Sequence, residues 1–86
     1  MTSKEEFESA VATVKGLSSR PSNEDLLSLY GLFKQATEGD VTGKKPGRLA
    51  IKDRAKYEAW EERKGLSDEE ARAKYVQLVQ KLSAAD

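Results

Sequence analysis

The 86-residue chain contains no cysteine and no histidine. Without cysteine there are no disulfides, no thiolate nucleophiles and no zinc–sulfur sites. Without histidine the chain lacks the commonest metal ligand and the usual general base near neutral pH. Carboxylates remain for acid–base chemistry, but this composition favours a binding protein over an enzyme.

Long apolar runs are also missing, and no stretch approaches the ~20 residues that a membrane span requires. The first six residues, Met-Thr-Ser-Lys-Glu-Glu, are acidic and lack the basic and apolar regions of a secretory signal. We therefore expect a cytoplasmic protein. The length predicts one domain, residues 1–86, with a single modest core.

Positive and negative charges balance overall, with 15 of each, but they are unevenly distributed. Residues 41–56 contain six Lys and Arg residues and a single acidic residue, Asp53. A concentrated basic centre favours a small anionic partner, because duplex nucleic acid normally calls for a wider positive face. The chain has no phosphate-cradling Gly-rich loop, no dinucleotide fingerprint and no spaced set of hard metal ligands. No cofactor and no metal are predicted.

Apolar residues recur every three or four positions in four segments, which predicts four helices. The first begins at a Ser3–Glu6 capping box and ends near Gly16, and the second begins at Ser22. The third runs from about Asp53 to Lys64, with Gly65 at its C′ position. The fourth opens with a Ser67–Glu70 capping box, and its last residues, 84–86, should fray. The predicted inward stripes are Phe7, Ala10, Val11, Val14 and Leu17; Leu26, Leu29, Tyr30, Phe33 and Ala36; Ala55, Ala59 and Trp60; and Ala71, Tyr75, Leu78, Val79 and Leu82.

The second helix carries a candidate binding face. Tyr30 and Lys34 lie four residues apart, with Phe33 beside them, just before a loop rich in Gly, Lys and Arg. This combination suits an aromatic anion. Three structural alternatives remain open: Tyr30 as a core aromatic, Lys34 paired with Glu38 one turn later, and Trp60 as core rather than ligand platform. Lys52 and Lys56 repel each other at i,i+4 unless an anion lies between them.

These residues carry a resemblance to the acyl-CoA-binding protein family, small cytosolic carriers of long-chain fatty acyl-CoA esters. The resemblance extends from Phe7 to Leu82. Its most specific parts are Tyr30-x-x-Phe33-Lys34-Gln35-Ala36-Thr37-x-Gly39-Asp40, Pro46-Gly47, Ala55-Lys56-Tyr57-x-Ala59-Trp60 and Lys64-Gly65. It implies an all-α, four-helix, up-down-down-up bundle with a ligand bowl on one side.

The resemblance also implies which residues bind the ligand and which partners the protein has. The CoA head, above all its 3′-phosphate and adenine, would contact Lys15, Tyr30, Gly31, Leu32, Phe33, Lys34, Lys52, Lys56 and Tyr75. The acyl chain would lie beside Leu26, Leu27 and Ala55. The expected protein is a monomeric carrier that is not an enzyme, does not bind nucleic acid, and makes transient contacts with membranes or acyl-CoA-using enzymes.

Two positions depart from the family pattern: Phe33 stands where Tyr is usual, and Tyr57 stands where Trp is common. Neither departure removes a charge from the implied phosphate site. Gly31, in the middle of a helix, lowers the stability of that helix by roughly 1 kcal/mol relative to alanine. A need to leave room for adenine would explain a glycine at this position. Two rival functions remain: an interaction or nucleic-acid module using residues 41–56, and an enzyme acting on acyl-CoA, against which the missing His and Cys count.

Overall fold

The computed structural model describes residues 3–86 as four α-helices: α1 Lys4–Lys15, α2 Asn23–Glu38, α3 Ile51–Glu61 and α4 Asp68–Ala85. This part of the chain contains no β-strand. Helix α2 packs against both α3 and α4, and α1 packs against α4. The predicted all-α, four-helix class is confirmed.

Serine side chains begin three of the four helices. Ser3, Ser22 and Ser67 each accept a bond of 3.1 Å from the backbone N–H three residues ahead. At Ser67 the capping box is complete, because its N–H donates to Glu70, and these bonds lower the pKa of the Glu70 carboxyl. At Ser3 the Glu6 carboxylate lies 3.5 Å from the hydroxyl group, so the predicted capping box is only half formed.

The predicted bounds of the third helix were wrong at both ends, since α3 covers Ile51–Glu61 rather than 53–64. Its C-cap is Glu62, and residues 62–65 form a turn in which Arg63 and Lys64 donate to Trp60 and Glu61. Gly65 has a positive φ of 96°, but it closes this turn instead of occupying the helix C′ position. The first helix ends at Gly16 as predicted.

The prediction that residues 84–86 fray is wrong. Helix α4 continues to Ala85, and the Asp86 carboxylate accepts bonds from the Ser18 N–H and hydroxyl and from the Ser19 N–H, at 3.1, 2.7 and 2.9 Å. These bonds lower the pKa of the Asp86 carboxyl. They tie the end of α4 to the connection between α1 and α2, a long-range contact that helical periodicity cannot indicate.

The core lies where α2, α4 and α1 meet. Its most buried apolar members are Phe7, Ala10, Leu29, Leu32, Ala36, Ala71, Tyr75, Val76 and Val79. Most were predicted from the stripes, but Leu32 and Val76 were not. Leu32, which the resemblance implied as a contact of the CoA head, is only 5% exposed and packs in this core. Its role there is to anchor α2.

One buried polar side chain links α2 to the connection between α3 and α4. Gln35 is 1% exposed, and its amide donates to the Asp40 carboxylate and to the Leu66 carbonyl, both at 2.9 Å. Asp40 also accepts from the Gly65 N–H at 2.9 Å. The bonds from Gly65 and Gln35 lower the pKa of the Asp40 carboxyl. This network fixes the start of the loop that leads from α2 to α3.

Gly31 lets α2 and α3 approach each other closely. A Cβ atom at this position would lie 2.4 Å from the Ala59 carbonyl oxygen and 3.2 Å from the Trp60 nitrogen. This contact accounts for Gly31 without any ligand, and the expectation that Gly31 leaves room for adenine stays a prediction. The missing side chain leaves room for the backbone of α3.

We expect Gly31→Ala to destabilise the fold, because the added methyl group forces α2 and α3 apart. Overpacking costs of roughly 1–3 kcal/mol, reduced by the better helix propensity of alanine, leave a net loss of about 1–2 kcal/mol. Chemical and thermal denaturation measure it, with a drop in Tm of roughly 4–8 °C per kcal/mol. Gly47→Ala is the matched control, since nothing lies within 4 Å of its Cβ position. Equal stability of the two variants would contradict the assigned helix contact.

Asp40 should make stability depend on pH. Hydrogen bonds from Gly65 and Gln35 lower the pKa of the Asp40 carboxyl in the folded state below its ordinary value. The stabilisation is therefore complete above that ordinary value and is lost as pH falls through the folded pKa. Asp40→Asn should therefore be less stable than wild type at neutral pH, with the difference shrinking in acid. Urea denaturation across this pH range measures the effect. Glu8→Gln, at an exposed position in α1, should give a smaller and flatter difference; a pH-independent loss in Asp40→Asn would exclude the charge as the cause.

Candidate ligand-binding site

A cleft of about 310 Å³ opens between α2 and α3, beside the loop that joins them. Its lining combines three aromatic rings, one proline, one cation and one carboxylate: Tyr30, Tyr57, Trp60, Pro46, Lys56 and Asp53. A site of this kind offers stacking surfaces and a positive charge in the same place. This chemistry suits a ligand that has a flat ring and an anionic group.

Two lysine–ring contacts cross the cleft in opposite directions. The Lys56 ammonium of α3 lies 5.7 Å from the centre of the Tyr30 ring of α2. The Lys34 ammonium of α2 lies 4.8 Å from the centre of the Trp60 ring of α3. Tyr30 and Lys34 of the candidate face thus lie near Lys56, which the resemblance implied, although Lys34 and Phe33 are not among the residues that line the cleft. Each cation is held over a ring face by its attraction to the π electrons.

Hydrogen bonds to the loop fix the two α3 rings of the cleft. The Trp60 indole N–H donates to the Gly39 carbonyl at 2.8 Å, and the Tyr57 hydroxyl donates to the Gly43 carbonyl at 3.1 Å. Trp60 is 7% exposed, so the interpretation of this side chain as core is confirmed, although its ring also lines the cleft. Both bonds hold the loop against α3 and define the shape of the opening.

Lys34 also binds a carboxylate of its own helix. Its ammonium forms a salt bridge with Glu38 one turn later, which was the structural alternative predicted for it. The Lys34 side chain is 22% exposed and that of Glu38 is 53% exposed. Such an exposed pair contributes little to stability. Lys34 can therefore exchange Glu38 for an external anion at small cost.

A second depression of about 260 Å³ lies farther along the same pair of helices. Leu27, Ala55 and Ala59 form its apolar part, and Glu24, Ser28, Glu62 and Arg63 surround them. Leu26, the other predicted acyl-chain residue, is half-buried outside this lining. Small side chains on α3 leave a shallow groove there, beside α2.

Phe33 of α2 and Tyr75 of α4 lie outside the lining of the cleft. Their rings join Phe7 in a cluster, with centroid distances of 5.8 Å for Phe7–Phe33, 5.1 Å for Phe7–Tyr75 and 6.4 Å for Phe33–Tyr75. Phe33 is 38% exposed and Tyr75 only 4%. Burial raises the pKa of the Tyr75 hydroxyl, so it stays protonated at neutral pH. A ligand that touches both the cleft and this cluster has to extend across α2.

The remaining candidate residues have varied positions. Lys15 is exposed at the end of α1, and Lys52 is exposed in the first turn of α3; in the structure of residues 3–86 neither lines the cleft. Four cleft residues were absent from the predicted set: Pro46, Asp53, Tyr57 and Trp60. The Pro46-Gly47 motif was the available signal for the first. Nothing in the pattern distinguished Asp53 from an ordinary acidic residue at a helix start.

Within residues 3–86, no helix is both long enough and apolar enough to span a bilayer. The same residues contain no cluster of three or more potential metal-ligating side chains among His, Cys, Asp and Glu.

Comparison with known proteins places these features in a family. A family profile described as "Acyl CoA binding protein" matches residues 4–79. The chain is 53% identical to acyl-CoA-binding protein homolog 1 of Caenorhabditis elegans, covering 91% of each chain, and 49% identical to the acyl-CoA-binding protein of Brassica napus, covering 96% of this chain and 90% of that one. The crystal structure of Oryza sativa acyl-CoA-binding protein 2 superposes with a TM-score of 0.90 at 48% identity, covering 95% of this chain and 91% of that chain. The chain belongs to the acyl-CoA-binding protein family.

Proposed function

We propose that this protein binds long-chain fatty acyl-CoA esters, one per chain, and carries them without catalysing a reaction on them. Membership of a family of binding proteins supports the activity. For these particular residues, the proposal rests on one observation: Lys34 and Lys56 each lie over an aromatic ring that lines the cleft between α2 and α3. Such a cleft offers a positively charged, ring-lined surface to the nucleotide part of CoA.

The head group binds, in this proposal, through charge and stacking. Lys56, Lys34 and the Tyr30 hydroxyl contact the 3′-phosphate, and each charge-assisted bond contributes about 1.5–3 kcal/mol where water is largely excluded. Lys15 and Lys52 add positive charge at the edge of the site. Phe33 on α2 contributes ring surface beside the cleft, and the buried Tyr75 on α4 contacts the ligand only at its edge and supports the Phe33 ring. The departure to Phe33 keeps this ring while removing one hydroxyl.

Binding of the phosphate requires Lys34 to give up Glu38. Because that salt bridge is exposed, its loss costs little compared with a bond to a doubly charged phosphate. Glu38 then places a negative charge near the bound phosphate, and this repulsion weakens phosphate binding slightly. Until a phosphate binds, the salt bridge with Glu38 keeps the Lys34 ammonium over the Trp60 ring.

The acyl chain supplies most of the affinity in this proposal. The groove at Leu27, Ala55 and Ala59 offers an apolar floor with polar side chains around it, and it lies along the same pair of helices as the cleft. Burying about a dozen methylene groups at ~0.8 kcal/mol each yields roughly 10 kcal/mol before the cost of association. The head group therefore selects the ligand, and the tail sets how tightly it binds. Covering the tail also keeps a detergent-like ester in solution.

Residues 1–86 act in this proposal as a single ligand-binding domain that works as a monomer in the cytoplasm. The ligand is the only small molecule required, with no cofactor and no metal. Clients are membranes and enzymes that supply or consume acyl-CoA, and contacts with them are transient. A carrier has to release its ligand as well as bind it. Release is possible because Lys34 can return to its exposed ion pair with Glu38 when the ligand leaves.

Isothermal titration calorimetry with a long-chain acyl-CoA, free CoA and the matching free fatty acid tests the proposed function. We expect one-to-one binding that is tight for the ester and weak for CoA, with no measurable binding of the acid. Raising the salt concentration should weaken CoA binding more, in relative terms, than ester binding, because screening acts on the charges. Comparable weak binding of all three ligands would refute the carrier function.

Separate head and tail sites predict opposite patterns for two variants. Lys56→Ala should weaken free CoA and every acyl-CoA by a similar factor of about 10 to 100. Leu27→Ala should weaken long-chain esters about fivefold to tenfold and leave free CoA unchanged, because only the tail reaches it. Lys81→Ala, at an exposed position in α4, is the control for net charge. A Leu27→Ala effect that is equal for CoA and for long esters would contradict the tail assignment.

A further inference from the structure

The start of α3 carries apolar side chains that no part of residues 3–86 covers. Leu49 is 99% exposed and Ile51 is 74% exposed. Every residue from 47 to 53 is exposed; residues 47–52 are called the tip below. Single exposed apolar residues are common, but two of them within three positions at the end of a loop form a patch.

Unpaired cations surround this patch. Within residues 3–86, the ion pairs of the basic segment engage Lys45 and Arg54, whose partners are carboxylates of α3. In the same residues, no acidic side chain forms a salt bridge with Lys44, Arg48 or Lys52. The tip therefore presents aliphatic side chains between free positive charges. This arrangement is complementary to an anionic, amphiphilic surface.

We propose that the tip docks on the surface of an anionic phospholipid membrane. Leu49 and Ile51 enter the headgroup layer, while Arg48, Lys52 and Lys44 lie against lipid phosphates. Proteins that bind single-stranded nucleic acid stack the bases on aromatic side chains, and the tip has none. A second copy of the chain would bring equal positive charges together. Both alternatives are outcomes of the test below.

Docking at the tip places the candidate cleft at the membrane surface. The tip is bounded along the chain by Pro46 and Asp53, and both residues line the cleft. Acyl-CoA is an amphiphile that partitions into membranes, so a carrier held there can take up or deposit its ligand without releasing it into water. This last step rests on the proposed function, whereas docking itself does not.

Flotation of the ligand-free, full-length chain with lipid vesicles tests the docking. We expect binding to phosphatidylcholine vesicles that contain phosphatidylserine and much weaker binding to phosphatidylcholine alone. Leu49→Ser should reduce the vesicle affinity at least about fivefold, and Lys44→Gln/Arg48→Gln should reduce it by a similar factor or more. The control Lys74→Gln/Lys81→Gln removes two exposed charges from α4 and should change it less than about twofold. Because Leu49 is 99% exposed, serine there leaves the core intact.

Since the chain has no cysteine, a single labelled site reports insertion directly. Leu49→Cys carrying a polarity-sensitive fluorophore should shift its emission to the blue on anionic vesicles and be quenched by lipids brominated in the acyl chain. The same fluorophore on Gln77→Cys, at an exposed position in α4, should show neither change. Equal shifts at both sites would mean that the dye, rather than the tip, drives insertion, and would overturn the proposal.

Calorimetry of Leu49→Ser with acyl-CoA in vesicle-free solution separates this inference from the proposed function. Affinity equal to that of wild type supports a lipid surface, whereas a clear loss would assign the tip to the acyl chain of the ligand and overturn docking. A dimer abolished by Leu49→Ser, or an oligonucleotide bound as tightly as vesicles, would also overturn it. If acyl-CoA fails to bind while vesicle binding persists, the proposed function fails and docking stands.

Discussion

The contact between α2 and α3 at Gly31 is the constraint on which the rest of the site depends. Because a Cβ atom there would lie 2.4 Å from the Ala59 carbonyl oxygen, the two backbones meet at a distance that glycine alone permits. At that separation, a lysine from each helix reaches an aromatic ring of the other. A wider spacing would separate each ammonium from its ring and open the cleft into a flat surface. Stability and ligand geometry are therefore set by the same residue.

Hydrogen bonds hold the loop between α2 and α3 at its start and along its length. Gln35 and Asp40 fix its first residues, and Trp60 and Tyr57 hold Gly39 and Gly43. The tip that follows has no comparable anchor among its exposed residues. The loop thus passes from a rigid part that shapes the cleft to an exposed part that is free to meet another surface.

Sequence reasoning predicted the number of helices, three of their serine caps and most of the core. The i,i+4 spacing placed Tyr30 and Lys34 on one face of α2, and the family resemblance added Lys56 of α3. Sequence reasoning missed the contact at Gly31, where the neighbour is a backbone distant in sequence, and the bonds of Asp86, whose partners lie 67 and 68 residues away. Periodicity describes which face of a helix is apolar, but it carries no information about which helix lies opposite. The core position of Leu32 was missed for the same reason.

The position of Lys34 over Trp60 has a spectroscopic consequence. Trp60 is the only tryptophan of the chain, so all indole emission comes from a ring that has an ammonium group 4.8 Å from its centre. A charge at that distance sets up an electric field across the indole and shifts its excited-state dipole energy. When the ammonium leaves Glu38 for another anion, the field changes and the emission maximum moves with it. The fluorescence of Trp60 is therefore an intrinsic probe of the position of Lys34.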